Sequence, residues 1–184
     1  MVKVIFIPGN GGGSPKDLWF PFLKKELEKD GIKVIASEFP DNVLARESYW
    51  IPFLENELQA DENTILVGHS SGAIAAMRLA EKKPLLGSVL VGAYYTDLDL
   101  ESEKKSGYFD RPWNWNAIKK NQQWILQFAS KDDPFIPIEE ARFVRDKLNT
   151  EYFESENQGH FLGLTFPELS EALKKKILQI KDTK

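Results

Sequence analysis

Thr64-Ile65-Leu66-Val67-Gly68-His69-Ser70-Ser71-Gly72 reads as a short apolar strand running into a tight turn, and Ala73-Ile74-Ala75-Ala76-Met77-Arg78-Leu79-Ala80 continues it as a helix of small residues. The turn carries the pattern G-x-S-x-G. A serine placed on such a strand-to-helix elbow is held in a strained backbone conformation that exposes its hydroxyl above a parallel sheet. The glycines on either side allow strand and helix to approach closely. With Gly and Ser each near ~7% of residues, the bare pattern arises by chance in roughly one chain of this length in twenty. Its setting between a strand and a small-residue helix is what makes it specific.

Working outward, short apolar runs alternate with helical patterns. The runs are Val2–Ile7, Ile32–Phe39, Thr64–Val67, Gly87–Gly92, Trp124–Ala129 and a weaker one at Glu151–Glu154. The spacing predicts helices near Leu18–Lys29, Ala45–Gln59, Ser71–Glu81, Ile138–Leu148 and Pro167–Ile180. In the last, Leu169, Leu173, Ile177 and Ile180 recur every three or four residues and make one face apolar. β segments alternating with helices imply an α/β fold, with a doubly wound sheet of about six parallel strands and right-handed crossovers placing helices on both faces. Ligands in such sheets sit beyond the carboxyl ends of the strands. No repeat or linker divides the sequence, so residues 1–184 are expected to form a single domain. The alternation breaks at Ala93–Trp115, a long connection that is polar first and aromatic later, and hence a candidate pocket wall.

Composition narrows the partners. The chain has 184 residues, 42% of them hydrophobic, enough for a proper core. The 24 basic and 28 acidic residues are interspersed without a basic stripe, which speaks against nucleic acid. With no cysteine, disulfides, thiol nucleophiles and cysteine metal sites are excluded together. The opening Val2–Ile7 run is too short for a signal peptide and meets Pro8-Gly9, and no apolar run approaches the ~18 residues of a membrane span. A cytoplasmic protein with a small-molecule ligand, without membrane association, metal or organic cofactor, is the expectation.

A serine hydroxyl is a poor nucleophile at neutral pH and needs a base within hydrogen-bond reach. Only His69 and His160 are available. His69 is inside the elbow, where its side chain should point away from the Ser70 hydroxyl. His160, in Asn157-Gln158-Gly159-His160-Phe161 after the last β segment, is the expected base, passing the serine proton to the leaving group. An acid should follow a strand and precede the histidine, since this fold class uses the order serine, acid, histidine. Asp132 and Asp133 both qualify. Asp133 precedes Pro134, which biases it toward extended backbone and limits where its carboxylate can swing. Asp132 has the rival role of a turn residue capping local N–H groups. For the oxyanion, the Ser71 amide opens the helix where unpaired N–H groups favour negative charge. A second donor is expected from Pro8-Gly9-Asn10-Gly11-Gly12-Gly13, with the Asn10 amide first and Gly11 next. No phosphate-loop G-x-x-x-x-G-K-[ST] pattern competes there. Tyr94, Trp113 and Trp115 are candidate pocket residues, with plain packing as their rival role, and Asp41, Arg46 and Glu47 read as salt-bridged loop residues.

Pro8–Gly13, Ala45-Arg46-Glu47-Ser48, Gly68–Arg78, Ser106-Gly107-Tyr108-Phe109, Arg111-Pro112-Trp113, Asp132-Asp133-Pro134-Phe135 and Gly159-His160-Phe161 together resemble the retinoblastoma-binding protein 9 family of small serine hydrolases. The likeness spans nearly the whole chain. It implies a reduced α/β-hydrolase fold with no separate lid domain, a triad of Ser70, Asp133 and His160, and hydrolysis of carboxylic esters or amides, amino-acid esters among them. It also raises two non-catalytic alternatives: a binding module for a pocket protein such as retinoblastoma protein, and a small-molecule receptor on a hydrolase fold. The family's L-x-C-x-E segment reads Leu58-Gln59-Ala60-Asp61-Glu62 here, so Ala60 replaces the motif cysteine and weakens the first alternative.

Overall fold

The computed structural model describes residues 2–182. Six strands, β1 (Lys3–Ile7), β2 (Lys33–Ile35), β3 (Thr64–His69), β4 (Gly87–Val91), β5 (Trp124–Ser130) and β6 (Glu151–Ser155), form one sheet in the order β2-β1-β3-β4-β5-β6. Every pairing is parallel. Around it lie α1 (Phe20–Lys29), α2 (Glu47–Pro52), α3 (Ser71–Ala80), α4 (Glu101–Ser106), α5 (Trp115–Lys120), α6 (Ile138–Leu148) and α7 (Pro167–Asp182). The α/β architecture read from the sequence is the one observed.

The period-2 alternation of a strand sends its side chains to two separate cores. From β1, Ile5 and Ile7 pack with Trp50, Leu54 and the alanines of α3 on one face. Val4 and Phe6 pack with Phe20, Leu23 and Leu27 of α1 and Leu169, Leu173 and Ile177 of α7 on the other. β3 and β4 are buried along their full length, as strands covered on both faces must be. Each fully buried Ile, Leu or Phe contributes roughly 1.5–3 kcal/mol of transfer free energy.

The strand order reverses between β1 and β3. After β1 the chain crosses to α1 on one face, and after β3 it enters α3 on the other. The two loops therefore diverge and leave a crevice at the carboxyl edge, the usual ligand position in doubly wound sheets.

Three elements differ from expectation. The second strand is only Lys33–Ile35, because Phe39 leaves the sheet edge to pack against Trp50 and Phe53 at ring distances of 4.9 and 5.0 Å. The helix expected over Ala45–Gln59 is α2 followed by a π-helical turn at Phe53–Glu57. Ala45 has a positive φ of 54° and delays the start, Pro52 withholds a helical N–H, and the chain closes instead by a Leu58 N–H bond to the Phe53 carbonyl. The connection after β4 is not irregular throughout: it contains α4 and begins α5. It is anchored by Arg78, fully buried in α3, whose guanidinium donates to the carbonyls of Tyr108 and Arg111, pairs with Glu81 and lies 3.6 Å from the Trp113 ring centroid.

Candidate active site

Ser70 stands between β3 and α3 with φ 55° and ψ −120°, the strained elbow the pattern predicts. A Cβ at Gly68 would collide with the carbonyl of Gly72, and one at Gly72 with the carbonyls of Ile7 and Pro8, so glycine is required at both positions. The Ser70 N–H is fastened to the Val91 carbonyl at 2.9 Å. Its side chain opens into a cavity of about 640 Å³ above the crevice, which His160, Asn10, Tyr94 and His69 also line.

His160 and Asp133 are joined, Nδ1 to Oδ2, at 2.8 Å, with side chains only 9% and 3% exposed. Asp133 is itself held, its other oxygen accepting the N–H groups of Phe135 at 2.9 Å and Ile136 at 3.1 Å. An ionised carboxylate there makes Nδ1 the protonated nitrogen and leaves Nε2 as the basic lone pair. Asp132 has a different place. Its Oδ1 accepts from the Ser130 hydroxyl at 2.6 Å and the Gly159 N–H at 2.7 Å, and Ser130 in turn accepts the Gln158 N–H at 2.8 Å. These bonds hold the Asp132 carboxyl below its ordinary range and brace the histidine loop.

The loop after β1 distinguishes its two candidate donors. The Gly11 N–H is committed to the Val43 carbonyl at 2.9 Å. The Asn10 and Ser71 N–H groups hold no bond to a carbonyl among the described residues. Trp113 and Trp115 are not brought to the cavity: they stack on each other at 5.5 Å, Trp113 against Arg78 and Trp115 against Phe143. Tyr94 alone of the three aromatics lines it. Asp41 pairs with Arg46, and Glu47 with Arg111. Within the L-x-A-x-E segment, Leu58 and Ala60 are buried in the core while Gln59 and Glu62 face solvent.

Two residues of the site make contacts that the sequence does not report: His69, expected only to point away from the Ser70 hydroxyl, and Glu103, which sequence reasoning missed. His69 is buried, and its Nε2 donates to the His160 carbonyl at 2.8 Å while the two rings stand 4.8 Å apart. Burial first, and then the neighbouring His160, push its pKa down to about 4, so the ring is neutral. Glu103, on α4, is 4% exposed and lines the cavity. It accepts from Asn10 Nδ2 and from the Tyr94 hydroxyl, both at 2.7 Å. Burial raises its pKa, and those two donors oppose the rise. The spacing Leu100, Glu103, Ser106 marks one face of a helical turn, the only signal the sequence offers for it. Among the described residues no group of three or more His, Cys, Asp or Glu is placed to share a metal ion, and no helix is long and apolar enough to cross a membrane.

A family model described as serine hydrolase matches residues 4–165. Serine hydrolase RBBP9 of Rattus norvegicus is 46% identical over 174 residues, covering 94% of each chain. Among solved structures, the ydeN gene product of Bacillus subtilis superposes with a TM-score of 0.88 at 25% identity, covering 96% of this chain and 99% of that one. Est1E of Butyrivibrio proteoclasticus, solved with ferulic acid bound, shares the fold at a TM-score of 0.75 and 13% identity, covering 97% of this chain and 89% of that one.

Proposed function

This chain belongs to the serine hydrolase family, and we propose that it cleaves small carboxylic esters or amides through an acyl-enzyme formed on Ser70. Ser70 Oγ attacks the carbonyl carbon while His160 Nε2 takes its proton. Asp133 holds the imidazole tautomer and stabilises the imidazolium. The Asn10 and Ser71 amides receive the oxyanion of the tetrahedral intermediate. Collapse of that intermediate breaks the bond to the leaving group, which takes the proton back from His160. Water, deprotonated by the same imidazole, then attacks the acyl carbon and releases the acid and Ser70. The observation that carries this reading is the 2.8 Å Asp133–His160 pair on the same cavity as a serine at a positive φ. Burial of Leu58 and Ala60 counts against a pocket-protein module.

The lining also bears on substrate. Its charged members are Asp17 and Glu103, with no lysine or arginine among the described lining residues. Leu100, Phe135 and Leu162 expose apolar surface at the rim. Acyl groups that are apolar and either neutral or ammonium-bearing suit this cavity, amino-acid esters among them, and anionic ones do not. A fluorophosphonate probe followed by peptide mapping, with turnover of a p-nitrophenyl ester panel spanning apolar, aminoacyl and succinyl groups, tests the proposal. Label on Ser70, loss of label and turnover in Ser70→Ala, and the succinyl ester slowest are expected. Turnover by Ser70→Ala would overturn it.

A further inference from the structure

We propose that Glu103 is a positioning residue for the oxyanion hole, one carboxylate tying together the two residues whose backbone N–H groups receive the developing charge. The inference rests on the assignment of Ser70, Asn10 and Ser71 made above. On one side Glu103 Oε1 accepts from Asn10 Nδ2 at 2.7 Å. On the other, Oε2 accepts from the Tyr94 hydroxyl at 2.7 Å, and that hydroxyl lies 3.3 Å from Ser71 Oγ. A single chain of side-chain bonds thus runs Asn10, Glu103, Tyr94, Ser71 across the crevice between β1 and β3.

The two anchored residues differ in how firmly the backbone holds them. Ser71 opens α3 and is fixed by the helix. Asn10 lies in a loop whose Gly11 and Gly12 adopt φ of 72° and 90° with open space where a side chain would be. Its own amide is free of carbonyl partners among the described residues, and while the Val43 and Asn42 carbonyls hold the following Gly11 and Gly12 amides, the Asn10 side chain is the tie on the cavity side. A donor displaced by about 1 Å costs on the order of 10²-fold in rate.

Chemistry explains why a carboxylate occupies this place. An uncompensated buried carboxylate is costly, and Glu103 has no cation among its described partners. A leucine would fill the same volume without that cost. What leucine lacks is two acceptors at one point, where an amide NH₂ and a phenol O–H both donate. The carboxylate therefore sets their positions. Its charge also faces the cavity where an oxyanion develops, so its contribution is geometric rather than electrostatic.

Three variants and a tetrahedral probe test this. Glu103→Leu is expected to lower kcat about 100-fold, the scale of losing one oxyanion donor, with KM changed less than about 3-fold. Phenylboronic acid, which forms a tetrahedral adduct on the nucleophilic serine, should lose affinity in step with kcat/KM. Glu103→Gln can accept from Asn10 and donate to Tyr94, so it should recover to within about 5-fold of wild type. Tyr94→Phe removes both the bond to Glu103 Oε2 and the contact with Ser71 Oγ, leaving the carboxylate held by Asn10 alone, and should lower kcat about 10-fold. A Glu103→Leu variant within about 3-fold of wild type in kcat, equal impairment of Leu and Gln variants, or a rise in KM alone would overturn the inference. If near-UV circular dichroism shows Glu103→Leu misfolded, Tyr94→Phe decides, and kcat within about 3-fold of wild type overturns it. Ser70→Ala in the same assay separates the two readings. Turnover by Ser70→Ala refutes the nucleophile assignment, whereas an inactive Ser70→Ala beside an unimpaired Glu103→Leu refutes this inference alone.

Discussion

Replacing His69 by glutamine should remove an acid-sensitive element of stability without removing the bond it makes. The imidazole is buried beside His160, and its pKa falls from an ordinary 6.5 to about 4, burial being the larger cause and His160 the next. Asp133 pulls in the opposite direction and the His160 carbonyl helps the same way, but both are smaller. The unfolded chain therefore binds a proton at this site below pH 6.5 that the folded chain refuses until about pH 4. Stability linked to His69 is complete above pH 6.5 and is lost as pH falls through that window. At about 1.4 kcal/mol per pH unit, the loss amounts to about 3 kcal/mol, a sizeable part of the 5–15 kcal/mol typical of a domain. Glutamine can still donate to the His160 carbonyl but does not titrate. Urea unfolding followed by circular dichroism at pH 7.5, 6, 5 and 4.5 measures the effect. The stability difference between wild type and His69→Gln should move by about 3 kcal/mol in favour of the variant across the series. A difference that stays constant within about 1 kcal/mol would show that the ring is not held neutral by burial.

Asp133→Asn should keep the fold and reduce kcat/KM by several orders of magnitude, since the amide holds the wrong imidazole tautomer, as in the serine-protease case of about 10⁴-fold. Asp132→Asn, which disturbs the brace on Ser130 and Gly159, should cost far less, and steady-state kinetics on an ester giving the reverse ranking would exchange their roles. Arg78→Ala should lower stability by about 3–5 kcal/mol by leaving Glu81 and the Tyr108 and Arg111 carbonyls without their buried partner, measured by denaturant unfolding.

The fold was legible because its signals are local. Thr64–Val67 before Gly68-x-Ser70-x-Gly72 demands a strand, a strained turn and a helix, and the six apolar runs fall on six parallel strands. The positions proposed as nucleophile, base and acid could be brought together for a related reason: Ser70, His160 and Asp133 each follow a strand, so topology carries all three to one edge without any knowledge of packing. What was illegible depends on contacts between residues far apart in sequence. Phe39 leaves β2 early because Trp50 and Phe53 receive it, and nothing in Ile32–Phe39 itself reports those partners. Trp113 reads as a pocket wall or, more commonly for such a loop, as a packing residue until Arg78, 35 positions earlier, is found against its ring.

Glu103 is the sharpest instance. On α4 it sits among Glu101, Lys104 and Lys105 and looks like one more solvated charge. Only the fold reveals that it meets Asn10, 93 residues away. A carboxylate's role is set by the donors that converge on it, and convergence is a property of three-dimensional placement that residue type and helical spacing do not encode. The same reasoning separates the adjacent Asp132 and Asp133, identical in chemistry and one position apart. Successive side chains on a tight turn point in different directions, so one oxygen reaches the imidazole of His160 and its neighbour reaches the Gly159 amide. The first orients the ring and the second orients the loop that carries it, which is why a single substitution at each should be felt on such different scales.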